Sequence, residues 1–254
     1  MARILILGGT TEARQLAGRL ATRPDLAVTL SLAGRTMTPA LQPVPVRLGG
    51  FGGSQGLADH LAAARIDVLV DATHPYAATI SANAARAAAL AKVPLVALRR
   101  PAWTAVAGDR WIEVADTTGA VAALGAAPCR VFLALGRQEI APFAAAPQHR
   151  YLVRSVDPID SPLDVPDAVY ITGRGPFAET DERALLAQHR IDIIVAKNSG
   201  GSATYGKIAA ARALGLAVVL LRRPALPQVA AVETVEDAVA AIDHALAPAM
   251  ARGV

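Results

Sequence analysis

The chain has 254 residues, 53% of them hydrophobic and 18% charged. That is long enough for one large or two small α/β domains and too apolar for a disordered chain. The net charge of +4 is mild and suits an anionic ligand; with aromatics at 4% and no basic cluster interleaved with rings, a nucleic-acid partner is excluded. No apolar run approaches the roughly 20 residues of a membrane span, no signal peptide is read, and the single cysteine, Cys129, excludes an intramolecular disulfide and fits a cytoplasmic protein.

Taken in order, Ile4-Leu5-Ile6-Leu7 runs into Gly8-Gly9-Thr10-Thr11 and then a helix-forming segment over 12–20. The pattern predicts a buried strand, a tight turn and a helix N-terminus, whose outward N–H groups and dipole favour an anion. The dinucleotide fingerprint is Gly-x-Gly-x-x-Gly/Ala. Here Thr10 replaces the second glycine and Ala13 fills the third position. Thr10 restricts backbone approach to a pyrophosphate, but it offers a hydroxyl and can cap the helix.

A second strand is predicted over 26–32. An acid at its end would bind the 2′-OH of NAD. The run Ser31-Leu32-Ala33-Gly34-Arg35-Thr36 has none, and Ser31, Arg35 and Thr36 suit the 2′-phosphate of NADP. A third strand over 44–48 empties into Gly49-Gly50-Phe51-Gly52-Gly53. Glycines at a strand's carboxyl end let a flat ring such as adenine approach; a flexible turn before a helix over 57–64 is the alternative.

A fourth strand over 67–71 leads to Ala72-Thr73-His74-Pro75-Tyr76 and an alanine-rich helix to about residue 91. A fifth strand over 95–98 is closed by Arg99-Arg100-Pro101. Alternating strands and helices predict a parallel sheet with helices on both faces and ligands beyond the strands' carboxyl ends. Gly8, Ser31, Gly49 and Thr73 all fall there, and His74 is placed to line the site.

The segment 101–109 reads as a crossing, after which the chain repeats itself. Ile66-Asp67-Val68-Leu69-Val70 recurs as Ile191-Asp192-Ile193-Ile194-Val195. Arg99-Arg100-Pro101 recurs as Arg222-Arg223-Pro224, and Arg3-Ile4-Leu5-Ile6 is echoed by Arg130-Val131-Phe132-Leu133. The fold class expected is therefore α/β: two pseudo-duplicated Rossmann-like units, 1–101 and 102–254, with a ligand cleft between them. Loops after three predicted strands, over 130–135, 168–172 and 192–196, carry the cations Arg137, Arg174 and Lys197. With Gly173, Asn198, Ser199, Gly200 and Lys207 they form a candidate anion-binding edge. A Pro-rich loop over 157–167 and a helix over 234–246, capped by Thr234, complete the reading.

No Cys/His cluster has metal spacing, and no nucleophile elbow or Walker loop occurs. An NADP fold facing a basic unit points to hydride transfer to an acidic acceptor. The combination of Ile6-Leu7-Gly8-Gly9-Thr10-Thr11-Glu12, Gly49-Gly50-Phe51-Gly52-Gly53, Asp71-Ala72-Thr73-His74-Pro75-Tyr76-Ala77, Gly173-Arg174-Gly175-Pro176-Phe177 and Lys197-Asn198-Ser199-Gly200 resembles the precorrin-6A reductase family (CobK/CbiJ) of cobalamin biosynthesis over essentially the whole length. The resemblance implies a cytoplasmic enzyme that uses NADPH to reduce one double bond of the polycarboxylate precorrin-6A macrocycle, giving precorrin-6B. It implies that Gly8, Gly9, Thr10 and Thr11 hold the pyrophosphate and that Ser31, Arg35 and Thr36 hold the 2′-phosphate. By the same resemblance Thr73, His74 and Tyr76 lie toward the nicotinamide. The second unit then supplies Arg137, Arg174, Lys197 and Asn198 to the substrate or the nicotinamide end. His74 and water are candidate proton donors. Transient contact with neighbouring pathway enzymes is a further expectation. An NADPH reductase of another anionic molecule and an NADP-sensing regulator are the alternatives.

Overall fold

The computed structural model describes residues 1–34 and 41–250, the side chains through residue 247. The first sheet is built from β1 (Ala2–Leu7), β2 (Leu26–Leu32), β3 (Val46–Leu48), β4 (Val68–Asp71) and β5 (Leu95–Leu98), with α1 (Thr11–Ala21), α2 (Gly53–Ala63) and α3 (Ala78–Ala91) between them. The second uses β6 (Arg110–Val114), β7 (Arg130–Ala134), β8 (Arg150–Ser155), β9 (Ala168–Thr172), β10 (Ile193–Lys197) and β11 (Ala217–Leu221), with α4 (Thr117–Leu124), α5 (Glu179–Gln188) and α6 (Gly206–Leu214). Last come β12 (Ala231–Val232) and α7 (Val235–Met250).

Both sheets are six-stranded and parallel throughout, in the orders β12-β5-β4-β1-β2-β3 and β6-β11-β10-β7-β8-β9. The two orders correspond strand for strand. Local detail repeats as well: Arg3 N–H donates to the Asp67 carboxylate at 2.7 Å, and Arg130 N–H donates to the Asp192 carboxylate at 2.8 Å. The sixth strand of each sheet is taken from the chain that follows the fifth strand of the other.

That exchange moves Pro224–Val254, expected in the second unit, into the first. The compact units are Met1–Pro101 with Pro224–Val254, and Ala102–Arg223. The physical cause is visible in the first unit. Edge strand β12 pairs with β5, and Val235, Ala238, Ile242 and Leu246 of α7 join the core of β1, β2 and α1. The repeated Arg-Arg-Pro thus stands at both points where the chain changes unit.

Ile4, Leu5 and Ile6 of β1 are fully buried because helices cover both faces of the sheet. Each such side chain contributes roughly 1.5–3 kcal/mol relative to exposure. Helix α1 buries Ala13, Leu16, Ala17 and Leu20, the stripe that a 3.6-residue period places on one face. Helix α2 starts four residues before the expected position. Gly52, in the left-handed region at φ 78°, is its N-cap, so the last glycine of the run, Gly53, opens the helix. Strands β6 and β8 escape a sequence reading. Exposed positions along edge strand β6 break its apolar pattern, whereas β8 carries two arginines among its apolar residues.

Candidate functional site

The β1–α1 turn is tied to the ends of the neighbouring strands β2 and β4. Gly8 N–H donates to the Ser31 carbonyl at 2.9 Å. A Cβ at Gly8 would lie 2.6 Å from Leu30 Cδ1, against a side chain buried between sheet and helix. Gly9 takes φ 113°, which favours glycine. Thr10 is the N-cap: its hydroxyl accepts from Ala13 N–H at 3.0 Å and donates to the Ala72 carbonyl at 2.9 Å. Its Oγ is thus engaged in tying the turn to the end of β4. What the turn offers an anion is the backbone N–H groups of the first helical residues, Thr11 and Glu12, which have no partner within the helix.

Beside this turn, at the carboxyl ends of the strands, lies a cavity of about 180 Å³. Its wall includes Gly8, Ser31, Gly49, Gly50, Phe51 and Thr73, all anticipated, together with Leu57, Ile80 and Asn83, which were not. A Cβ added at Gly49, Gly50, Gly52 or Gly53 would meet no other atom within 4 Å, so bare backbone forms that wall. Such a surface fits a flat heterocycle. Arg47 holds the glycine loop in shape. It donates to the carbonyls of Gly49 at 2.6 Å and Gly50 at 2.9 Å, and its guanidinium lies 3.7 Å from the Phe51 ring centroid. His60 packs on the same ring at 5.0 Å. Burial, reinforced by the Arg47 charge, holds its imidazole below the ordinary value.

The loop after β4 brings Thr73, His74 and Tyr76 together. Thr73 donates from its hydroxyl to Asp71 at 2.7 Å and from its N–H at 3.2 Å. Asp71 is a buried carboxylate, 4% exposed, at the end of an apolar strand. An acid closing an apolar strand is the sequence signal that marks it. Tyr76 N–H donates to His74 Nδ1 at 3.3 Å, which places the proton of the neutral imidazole on Nε2. The two rings stand 5.6 Å apart. Gly9, Thr10, Thr11, His74 and Tyr76 flank the cavity in sequence without forming its wall. Arg35 and Thr36 lie outside the described residues.

In the second unit the cations stand at the carboxyl ends of β7, β9 and β10, and two of them meet carboxylates. Lys197 Nζ pairs with Glu139, whose other oxygen accepts from Gly136 N–H at 2.9 Å. Arg137 lies 3.7 Å from Asp160. Arg174 is exposed, between Gly173 and Gly175. Asn198 is buried, and its amide clasps the Trp103 backbone from both sides at 2.8 and 2.9 Å. The Trp103 indole N–H donates to Gly201 O, and Arg223 donates to the carbonyls of Asn198 and Ser199. Gly200 takes φ 68°. Lys207, expected among the ligand contacts, is 5% exposed; its ammonium donates to Thr204 O at 2.7 Å and lies 5.1 Å from the Trp103 ring. Asn198 and Lys207 therefore brace the 197–204 loop. Among the described residues, no group of three or more His, Cys, Asp or Glu side chains could hold a metal ion, and no helix is long and apolar enough to cross a membrane.

The paired six-stranded parallel sheets, with glycine-rich turns at their carboxyl ends, define a duplicated Rossmann-like α/β protein. The family model for precorrin-6x reductase CbiJ/CobK matches residues 3–243, and the chain belongs to that family of reductases. It is 57% identical to a precorrin-6A reductase of Sinorhizobium sp, covering 97% of this chain and 95% of the relative. It is 50% identical to the precorrin-6A reductase of Rhodobacter capsulatus, covering 100% of both. A solved structure of CobK precorrin-6A reductase, 48% identical, superposes with a TM-score of 0.93 over 96% of this chain and 97% of that one.

Proposed function

We propose that the protein is an NADPH-dependent precorrin-6A reductase of cobalamin biosynthesis, reducing one carbon–carbon double bond of the macrocycle to give precorrin-6B. The observation that carries the reading is the glycine-walled cavity at the carboxyl ends of β1 to β4, in a chain belonging to a reductase family. The residues present fit the dinucleotide. The bare wall at Gly49 and Gly50 accepts adenine, and the β1–α1 turn accepts the pyrophosphate through N–H groups. Ser31 and Arg35 take the 2′-phosphate. When bound, NADPH supplies the hydride.

The chain's own residues bind, orient and handle the proton. Thr73, His74 and Tyr76 line the nicotinamide end, with Asp71 fixing the Thr73 hydroxyl. Arg137, Arg174 and Lys197 hold substrate carboxylates. Protonation of an imine-like ring nitrogen would make the adjacent carbon electrophilic toward hydride; water, or a His74 imidazolium protonated on both ring nitrogens and released from Tyr76 N–H, would supply that proton. Orientation and electrostatics are thus the protein's main contribution.

The test is turnover of purified protein with NADPH and precorrin-6A, with NADH and the cobalt-loaded macrocycle as parallel arms. Stoichiometric NADPH oxidation and a product two hydrogens heavier are expected. No turnover with either macrocycle would sink the reading. Arg35→Ala should weaken NADPH far more than NADH, and equal losses would remove its 2′-phosphate role.

A further inference from the structure

The pyrophosphate turn carries an acid. Glu12 is the second residue of α1, in the first helical turn where the dipole favours an anion. A pyrophosphate at the same helix end would bring like charges together, and in a partly desolvated setting that repulsion is costly. The structure holds a partner for this carboxylate. Arg100, two residues past β5, places its Nη1 at 2.5 Å from Glu12 Oε2, across 88 residues of sequence. Both side chains are largely shielded, Arg100 at 13% and Glu12 at 20% exposed, so solvent screens the pair less than a surface ion pair. Glu12 meets Arg100 because β1, β4 and β5 are adjacent strands whose carboxyl ends share one edge.

We infer that Arg100 is a positioning residue for the cofactor. Its guanidinium neutralises Glu12 and holds that carboxylate aside, so that a turn bearing an acid can still accept a pyrophosphate. Arg100 acts through Glu12 and needs no contact with the dinucleotide. The counterpart residue in the repeat, Arg223, also binds the loop after a central strand, but through the carbonyls of Asn198 and Ser199. That loop follows β10, the counterpart of β4; the loop after β7, the counterpart of β1, carries an acid too, Glu139, and there Lys197 is its partner. The inference deepens the NADPH reading and rests on it.

The experiment is a set of NADPH dissociation constants for the full chain and for Glu12→Gln, Arg100→Ala, Arg100→Lys and the double variant Glu12→Gln/Arg100→Ala. Thermal melts without ligand are run alongside. Arg100→Ala should weaken NADPH by about tenfold or more, because it leaves Glu12 uncompensated beside the phosphates. The defect should shrink at high salt as the repulsion is screened. Arg100→Lys should stay within about threefold of the parent, since the charge is kept. Removing the acid should rescue the defect, bringing the double variant to within about threefold of Glu12→Gln. A merely structural ion pair would lower melting temperature without this rescue. An unchanged constant in folded Arg100→Ala would overturn the inference, and so would a double variant as weak as Arg100→Ala, which would mean direct contact with the cofactor. Should Arg100→Ala not fold, Arg100→Gln takes its place in the same cycle. If the parent chain itself binds no NADPH, the cofactor reading fails and takes the inference with it; a parent that binds normally isolates the role of Arg100.

Discussion

Arg154 and Glu182 form a buried two-point ion pair, with the guanidinium donating at 2.5 and 2.8 Å to the two carboxylate oxygens. The side chains are 8% and 3% exposed. Arg154 also lies 3.8 Å from the centroid of the Phe177 ring. One residue at the end of β8 therefore joins α5 to the 173–177 loop that presents Arg174.

Breaking this pair should cost far more than its presence contributes. Glu182→Gln or Arg154→Met leaves a buried charge uncompensated, a loss of roughly 3–5 kcal/mol. Replacing both partners with apolar residues should cost much less. Both tryptophans of the chain, Trp103 and Trp111, belong to the second unit, so tryptophan fluorescence in a urea titration reports it selectively. Equal shifts for single and double variants would contradict this account.

Arg47 should matter to the dinucleotide as a whole. Arg47→Ala removes two hydrogen bonds to the 49–50 carbonyls and the cover on Phe51. Loss of that preorganisation should weaken NADPH and NADH alike, by about tenfold. Calorimetric titration with each nucleotide distinguishes this from a 2′-phosphate contact, which would spare NADH.

Two glycines separated by six positions should respond in opposite ways. A Cβ at Gly56 would stand 1.8 Å from the Phe51 carbonyl oxygen, so Gly56→Ala must move backbone and should lose about 1–3 kcal/mol or more of stability. A Cβ at Gly50 meets no other protein atom within 4 Å but enters the cavity wall. Gly50→Ala should melt like the parent and bind NADPH poorly. Melting curves and titrations on the same two samples read both outcomes.

Acid should destabilise the protein through two imidazoles. Burial, chiefly, holds both His60 and His149 below the ordinary value of 6.5. His149 is 1% exposed and its Nδ1 accepts from Cys129 N–H at 3.3 Å. As pH falls through 6.5 the unfolded chain takes up protons that the folded chain still refuses. Stability is therefore full above that value and declines below it. Melting temperatures between about pH 8 and pH 5 should show the decline. His149→Gln should flatten the slope, whatever it does to the absolute value. A slope unchanged by His149→Gln and by His60→Gln would rule out both groups.

Much of the cavity edge in the first unit was legible in the chain. Buried strands such as 4–7 announce themselves as β-branched and leucine-rich runs, and the glycines that end them mark turns. Thr10 suits a cap or a phosphate ligand by sequence, and the structure shows the cap, with the hydroxyl also spent on Ala72. The Ser/Gly-rich loop after β10 was less legible. Lys207 and Asn198 look like solvent-facing polar residues in a Ser/Gly-rich turn, yet Trp103, 95 residues before Asn198, buries and occupies them. A polar residue's type says what it can bond, and only its neighbours say whether that capacity is already used.

The strands, turns and helices over residues 1–101, the repeat in the second unit and the glycine positions follow from patterns a few residues long, because side-chain period and turn chemistry are local. The exchange of sixth strands does not. Residues 224–247 read as an ordinary continuation of the second unit, and they join the first because β5 has an open edge and α1 a bare apolar face there. The pairing of Glu12 with Arg100 belongs to the same class. Strand adjacency sets it, and adjacency is chosen by burial summed over the whole sheet, a quantity no short stretch of sequence contains.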